Sequence, residues 1–148
     1  MCSSDLIADV VFLAGYRWEA IENHFGNGSD FGFNAHYSVE ESPLGRGGAI
    51  KMGFTKVPET EHTVVVLNGD TITDEPRDHL IASHQERRKE SGSILATVML
   101  VPMVSPYGLV DIDVTGKITG LRDKVEMDHW INAGIRSEEQ TSELQSQA

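Results

Sequence analysis

Thr63-Val64-Val65-Val66-Leu67-Asn68-Gly69-Asp70 is the stretch that decides the fold. Three valines and a leucine in unbroken succession suit a strand covered on both faces, since a strand with one wet face would alternate apolar with polar residues. The run ends at the turn pair Asn68-Gly69, and the first charge beyond it is Asp70. A second run of the same kind, Asp9-Val10-Val11-Phe12-Leu13-Ala14, is closed by Gly15. Strands of this type belong to parallel sheets sandwiched between helices, so the segments around them should be helical.

They are. From Arg17 the period changes, with Trp18, Ile21 and Phe25 at helical spacing and Gly26 as a stop. Residues 32–39 form a looser strand pattern, residues 45–57 a glycine-rich helix start and helix, and residues 58–62 a surface loop. Pro76 suits the first turn of a helix over residues 76–90, with Leu80, Ile81 and His84 on one side. Residues 94–102 are again near-continuously apolar. Residues 108–113 and 116–121 alternate around Thr115-Gly116 as an antiparallel hairpin does. The order is that of an open α/β sheet of mostly parallel strands, finished by antiparallel additions.

Composition agrees with this and removes several functions. The 148 residues carry 23 acidic against 12 basic side chains, a formal net charge of -11, which repels nucleic acid and anionic membranes. No apolar run approaches the ~20 residues of a membrane span and no leader pattern opens the chain, so the cytoplasm is the expected location. One cysteine excludes a disulfide framework.

The two ends read differently from the interior. Cys2-Ser3-Ser4-Asp5-Leu6 back-translates to TGC TCT TCC GAT CT, whose reverse complement opens Arg136-Ser137-Glu138-Glu139. Residues 1–6 and 136–148 are therefore expected to be translated sequencing-library adapter, with residues 7–135 a partial domain. The lone cysteine goes with the head.

In open α/β sheets ligands gather beyond the carboxyl ends of the strands. Asp70 stands there. It can bind a hard divalent cation whose shell phosphate oxygens and water complete, and it can equally be a turn or cap aspartate. Pro43-Leu44-Gly45-Arg46-Gly47-Gly48-Ala49 places three glycines before a helix, where a base or phosphate can approach the backbone and meet helix-end amides. It is neither a P-loop nor a spaced G-x-G-x-x-G. The six histidines show no H-x-x-x-H spacing and read as surface or packing residues. Met99 and Met103 read as core fillers, residues 86–90 as a solvated helix face, and Trp18 and Trp130 as packing residues first.

Taken together, Tyr37-Ser-Val-Glu-Glu-Ser-Pro-Leu-Gly-Arg-Gly-Gly-Ala-Ile, Val66-Leu-Asn-Gly-Asp70, Tyr107-Gly-Leu-Val-Asp-Ile-Asp, Asp123-Lys124 and Ile131-Asn-Ala-Gly-Ile135 resemble the sugar-phosphate nucleotidyltransferases, in that family's order and spacing. The resemblance implies a Rossmann-like, doubly wound α/β domain. It implies transfer of a nucleotidyl group from a nucleoside triphosphate to a sugar 1-phosphate with release of pyrophosphate. It makes Asp70 a catalytic ligand of Mg²⁺. It gives the nucleotide to Glu40, Leu44, Gly45, Gly47, Gly48, Asn68 and Gly69, and the sugar to Tyr107, Gly108, Asp123 and Asn132. Asp123 stands where the family usually has a glutamate. Lys124 would sit on the sugar phosphate as a point charge.

Glu40 bears on the base. A carboxylate accepts two donors in a fork, which matches the N1-H and N2-H₂ of guanine, whereas uracil or thymine sets one donor between two carbonyls. The preference leans toward GTP, and the loop resembles the mannose and heptose 1-phosphate guanylyltransferase branch. The family's opening Gly-x-Gly-Thr-Arg-Leu loop and its downstream second metal-binding aspartate have no counterpart in the chain. The chain alone is therefore expected to be inactive and marginally folded, with a strand missing between those at residues 9–14 and 63–67. The full-length parent is expected to be an enzyme, possible as a homo-oligomer. Two other classes stay open: a degenerate module that binds nucleotide sugars without turnover, and a glycosyltransferase of related fold, which would want an Asp-x-Asp pair after the central strand.

Overall fold

The computed structural model describes residues 7–139. Residues 7–64 with Glu139 belong to one compact unit and Val65–Glu138 to another. No helix among the described residues is long and apolar enough to cross a membrane.

In the first unit, β1 (Asp9–Ala14) lies parallel to β2 (Asn34–Val39), with Asp9 opposite Asn34 and Ala14 opposite Val39. The connection between them is α1 (Trp18–Phe25) followed by a 3-10 turn at Ser29–Phe31. The expected apolar stripe holds: Trp18, Ile21 and Phe25 are half-buried while their helical neighbours are exposed. Phe25 stacks on Phe12 of β1 at 4.9 Å between centroids, and Phe12 stacks on Tyr37 of β2 at 5.4 Å. The Tyr37 hydroxyl donates to the Gly26 carbonyl at 2.7 Å, which fixes the end of α1 to the sheet.

After β2 comes α2 (Gly45–Phe54), whose Gly53 lies directly against the Leu13 side chain. Successive residues of a strand point to opposite faces. Phe12 receives α1 and Leu13 receives α2, so the two helices cover opposite faces of the β1–β2 pair. This is the doubly wound arrangement in miniature, with Ala14 and Phe54 in its small core.

A three-stranded sheet has the order β3 (Thr63–Leu67), β7 (Glu126–Glu139), β4 (Ala96–Val104), in which β4 and β7 run antiparallel; all of it but the start of β3 and the last residue of β7 lies within the second unit. Helix α3 (Arg77–Glu90) packs on β4 through the buried Leu80 and His84. The His84 ring nitrogen Nδ1 lies 2.9 Å from Thr97 Oγ1. β5 (Leu109–Ile112) and β6 (Ile118–Arg122) form the expected hairpin. Its turn is closed by Asp113, whose Oδ1 accepts the Thr115 N–H, the Thr115 hydroxyl and the Lys117 N–H. These bonds, the Thr115 hydroxyl foremost, hold the Asp113 carboxyl below the usual carboxylate range.

Three differences from the sequence reading stand out. The fourteen-residue β7 was not anticipated as a strand, because Asn132-Ala-Gly134 interrupts any apolar alternation; it runs on four residues past Ile135. Trp130, expected to pack, is 68% exposed on β7 opposite Pro102. Met99 and Met103, expected as core fillers, are only half-buried on β4 and lie outside the buried core.

Candidate functional site

The residues singled out by sequence fall into three local clusters, each at a strand end. The first belongs to β2 and α2. The Glu40 N–H donates to the Ala14 carbonyl at 2.9 Å, so the loop leaves from the joined carboxyl ends of two parallel strands. The Glu40 carboxylate accepts the Leu44 N–H at 2.7 Å. Gly45 then turns into the helix with φ +71°, a backbone conformation that costs glycine little. A Cβ on Gly48 would stand 2.7 Å from the Leu44 Cβ, so the loop folds back onto its own helix at close range. Gly47 faces open space. No acidic residue lies within the first turn of α2; the carboxylate that meets its opening is that of Glu40, on the Leu44 amide.

The second cluster joins β3 to β7. The Asn68 N–H donates to the Gly134 carbonyl at 2.8 Å, and the Thr71 N–H to the Asn68 carbonyl at 3.2 Å. The Gly134 N–H donates to Oδ1 of Asn132 at 2.8 Å. Gly134 has φ +80°, and a Cβ there would lie 2.5 Å from Asn68 Nδ2 and 2.7 Å from Thr71 Oγ1. Asn68, Gly69, Asp70 and Asn132 are thus held together around a residue that must lack a side chain. Asp70 itself is exposed, without a hydrogen bond or ion pair to another described residue. Gly134 and Thr71 carried no assigned role in the sequence reading; an isolated glycine inside a strand points to such a close approach only once the strand itself is known.

The third cluster lies at the open end of the β5–β6 hairpin. Gly108, Arg122 and Asp123 help line a shallow cavity of about 360 Å³. The exposed Tyr107 is anchored through its backbone, since Ser105 Oγ donates to the Tyr107 carbonyl at 2.7 Å. The Lys124 N–H donates to Asp123 Oδ1 at 3.1 Å, and Lys124 is one of two non-glycine described residues at positive φ, here 50°. That sparsely populated conformation turns the chain just where the expected phosphate-binding cation stands. Arg122 grips Asp111 in a two-point ion pair at 2.8 and 3.1 Å. The sequence reading gave Arg122 no role and met Asp111 only as part of the Tyr107–Asp113 motif.

Asp70 is an acceptor-only carboxylate on an exposed turn, which suits a hard cation such as Mg²⁺ that takes one or two carboxylates and fills its shell from substrate phosphates and water. Among the described residues no three His, Cys, Asp or Glu side chains converge on one point, so the chain offers this single carboxylate rather than a cage.

Glycine-shaped turns and polar turns at strand ends, with helices on both faces of the β1–β2 pair, define an α/β protein of the open-sheet class, a class whose ligands commonly gather beyond the strand ends. The family model described as Nucleotidyl transferase matches residues 1–135, and the chain belongs to that family. It is 48% identical over 66 residues to a D-glycero-alpha-D-manno-heptose 1-phosphate guanylyltransferase of Aneurinibacillus thermoaerophilus, covering 45% of this chain and 27% of that protein. It is 32% identical over 130 residues to the protein of the same description from Campylobacter jejuni, covering 87% of this chain and 54% of that protein. The crystal structure of HddC from Yersinia pseudotuberculosis shares the fold, with a TM-score of 0.60 at 22% identity over 90% of this chain and 57% of that one. The chain therefore spans about half or less of the length of the curated relatives it matches.

Proposed function

We propose that the full-length protein transfers a guanylyl group from GTP to a sugar 1-phosphate of the mannose or heptose type. A phosphate oxygen of the sugar 1-phosphate attacks the α-phosphorus of the nucleotide. The bond from that phosphorus to the oxygen bridging to the β-phosphate breaks, and pyrophosphate leaves. Both reactants are anions, so the protein's tasks are to neutralise charge and to hold the two in line.

The single observation that carries this reading is the turn of residues 43–48, whose three glycines form the first turn of α2 rather than precede it, with Glu40 at its root, in a chain whose relatives are guanylyltransferases. That turn and the amides of α2 would hold the base and its phosphates. Asn68 and Gly69 would complete the nucleotide side. Tyr107, Gly108, Asp123 and Asn132 would hold the sugar, and Lys124 would neutralise its phosphate. Mg²⁺ bound at Asp70 would supply the remaining positive charge. A cytoplasmic location and a homo-oligomeric full-length form complete the proposal, and the 148-residue chain by itself is proposed to be inactive.

Pyrophosphate release with GTP, mannose 1-phosphate or heptose 1-phosphate and Mg²⁺ tests this. The full-length protein should turn over GTP faster than UTP or dTTP, and the 148-residue chain should not turn over. A full-length protein that releases no pyrophosphate with any of these pairs overturns the reading.

A further inference from the structure

Two polar groups of Glu40 already have partners. Its N–H is held by the Ala14 carbonyl at 2.9 Å, which fixes the residue where β1 and β2 end. Its Oε2 accepts the Leu44 N–H at 2.7 Å, an amide at the opening of α2 that the helix itself cannot satisfy. Leu44 in turn lies over Gly48 so closely that no side chain fits between them. Residues 40–44 therefore form a ring closed by one side-chain bond, and the glycine loop hangs from that ring.

We propose that Glu40 is a positioning residue that latches the turn into α2 at residues 43–48 through the Leu44 amide, and that the base is selected by acting on this latch. The identity of the base rests on the guanylyl-transfer reading; the latch does not. A carboxylate has about four lone-pair sites, of which Leu44 uses one. A guanine edge brings two N–H donors, which the remaining sites accept without releasing Leu44. A base that presents a carbonyl at that position repels the carboxylate. Swinging Glu40 away breaks the Leu44 bond and frees the loop. The wrong base then loses the loop's shape together with its own hydrogen bonds, so discrimination exceeds what the base contacts alone would give.

Glutamine separates the two roles. Its carbonyl oxygen can still accept the Leu44 N–H, while its NH₂ faces the guanine donors. The test is amide hydrogen exchange at Leu44 by NMR in the full-length protein, together with binding of GDP and UDP, using wild type, Glu40→Gln and Glu40→Ala. Amides of β1 serve as the control for folding. Leu44 should exchange about fivefold faster in Glu40→Ala, the loss expected for one ordinary hydrogen bond, and at nearly the wild-type rate in Glu40→Gln. The preference for GDP should vanish in both variants. Equal Leu44 exchange in all three chains overturns the latch. A Glu40→Gln chain that still prefers GDP overturns selection through the carboxylate. A wild-type chain that protects Leu44 yet binds GDP no better than UDP upholds the latch and sinks the guanylyl-transfer reading instead.

Discussion

Asn68 and Gly134 are locked together across two strands: the Asn68 N–H donates to the Gly134 carbonyl at 2.8 Å, and the Asn68 side-chain amide fills the space where a Cβ on residue 134 would stand. The turn bearing Asp70 is thereby supported by β7, the strand that also carries Asn132.

Replacing Gly134 should show what that support is worth. Gly134→Ala meets both the positive φ and the 2.5 Å approach of Asn68, so a loss of about 1–3 kcal/mol is expected. The midpoint of urea unfolding of the 148-residue chain measures it. An unchanged midpoint would mean that the turn is not held here.

Asp70 should behave oppositely. Its side chain is exposed and unpartnered among the described residues, so Asp70→Asn should alter stability by no more than about 0.5 kcal/mol. In the full-length protein the same change should lower the rate of pyrophosphate release by about 100-fold or more, as loss of a charge that stabilises the transition state does. A variant with a wild-type rate at saturating Mg²⁺ would remove Asp70 from the chemistry.

The buried contact between α3 and β4 is a stability element. His84→Ala would leave the Thr97 hydroxyl without its 2.9 Å partner and open a cavity in a fully buried position, at a cost of about 2–4 kcal/mol. Thr97→Val breaks the same bond but keeps the side-chain volume, so it opens no cavity and should cost less. Thermal melts of the two variants give the comparison, and equal melting temperatures would contradict it.

Low pH should loosen the β5–β6 turn. Asp113 holds its proton less tightly when folded than when unfolded, because the Thr115 hydroxyl and the Thr115 and Lys117 amides bond its ionised form. A lowered folded pKa adds stability at pH above the unfolded value, 3.8, and that stability is lost as pH falls through the folded one. The Thr115 and Lys117 amide signals should move together in an NMR titration, at a pH below that at which an unfolded aspartate titrates. A common midpoint at or above 3.8 would refute the assignment.

Much of this was legible from residue order. The apolar runs that became β1 and β3 announce themselves by unbroken succession, although neither strand is dry on both faces, since Leu13 and Leu67 are exposed; the Trp18, Ile21, Phe25 stripe is legible because one face of that helix is half-covered. The rule that ligands gather at strand ends led directly to Asp70 and to the loop after β2. β7 was hidden, since Asn132 and Gly134 are there for reasons of close approach rather than burial. The bond from Glu40 to the Leu44 amide was hidden too, for a pattern of residue types does not say which oxygen of a carboxylate is already taken. The grip of Arg122 on Asp111 depends on a hairpin register that shifts between Asp111 and Ile112, and such a shift leaves no trace in composition.

The chain's two tryptophans are divided between its units. Trp18 sits half-buried with its ring centroid 6.5 Å from that of Tyr37, while Trp130 is largely in water. Each half of the molecule thus contains its own fluorophore. Emission from Trp18 should redden as its surroundings melt, whereas Trp130 starts red and is open to iodide quenching from the outset. A phenylalanine at either position would leave a single optical probe, so the order in which the halves come apart can be watched without attaching a dye.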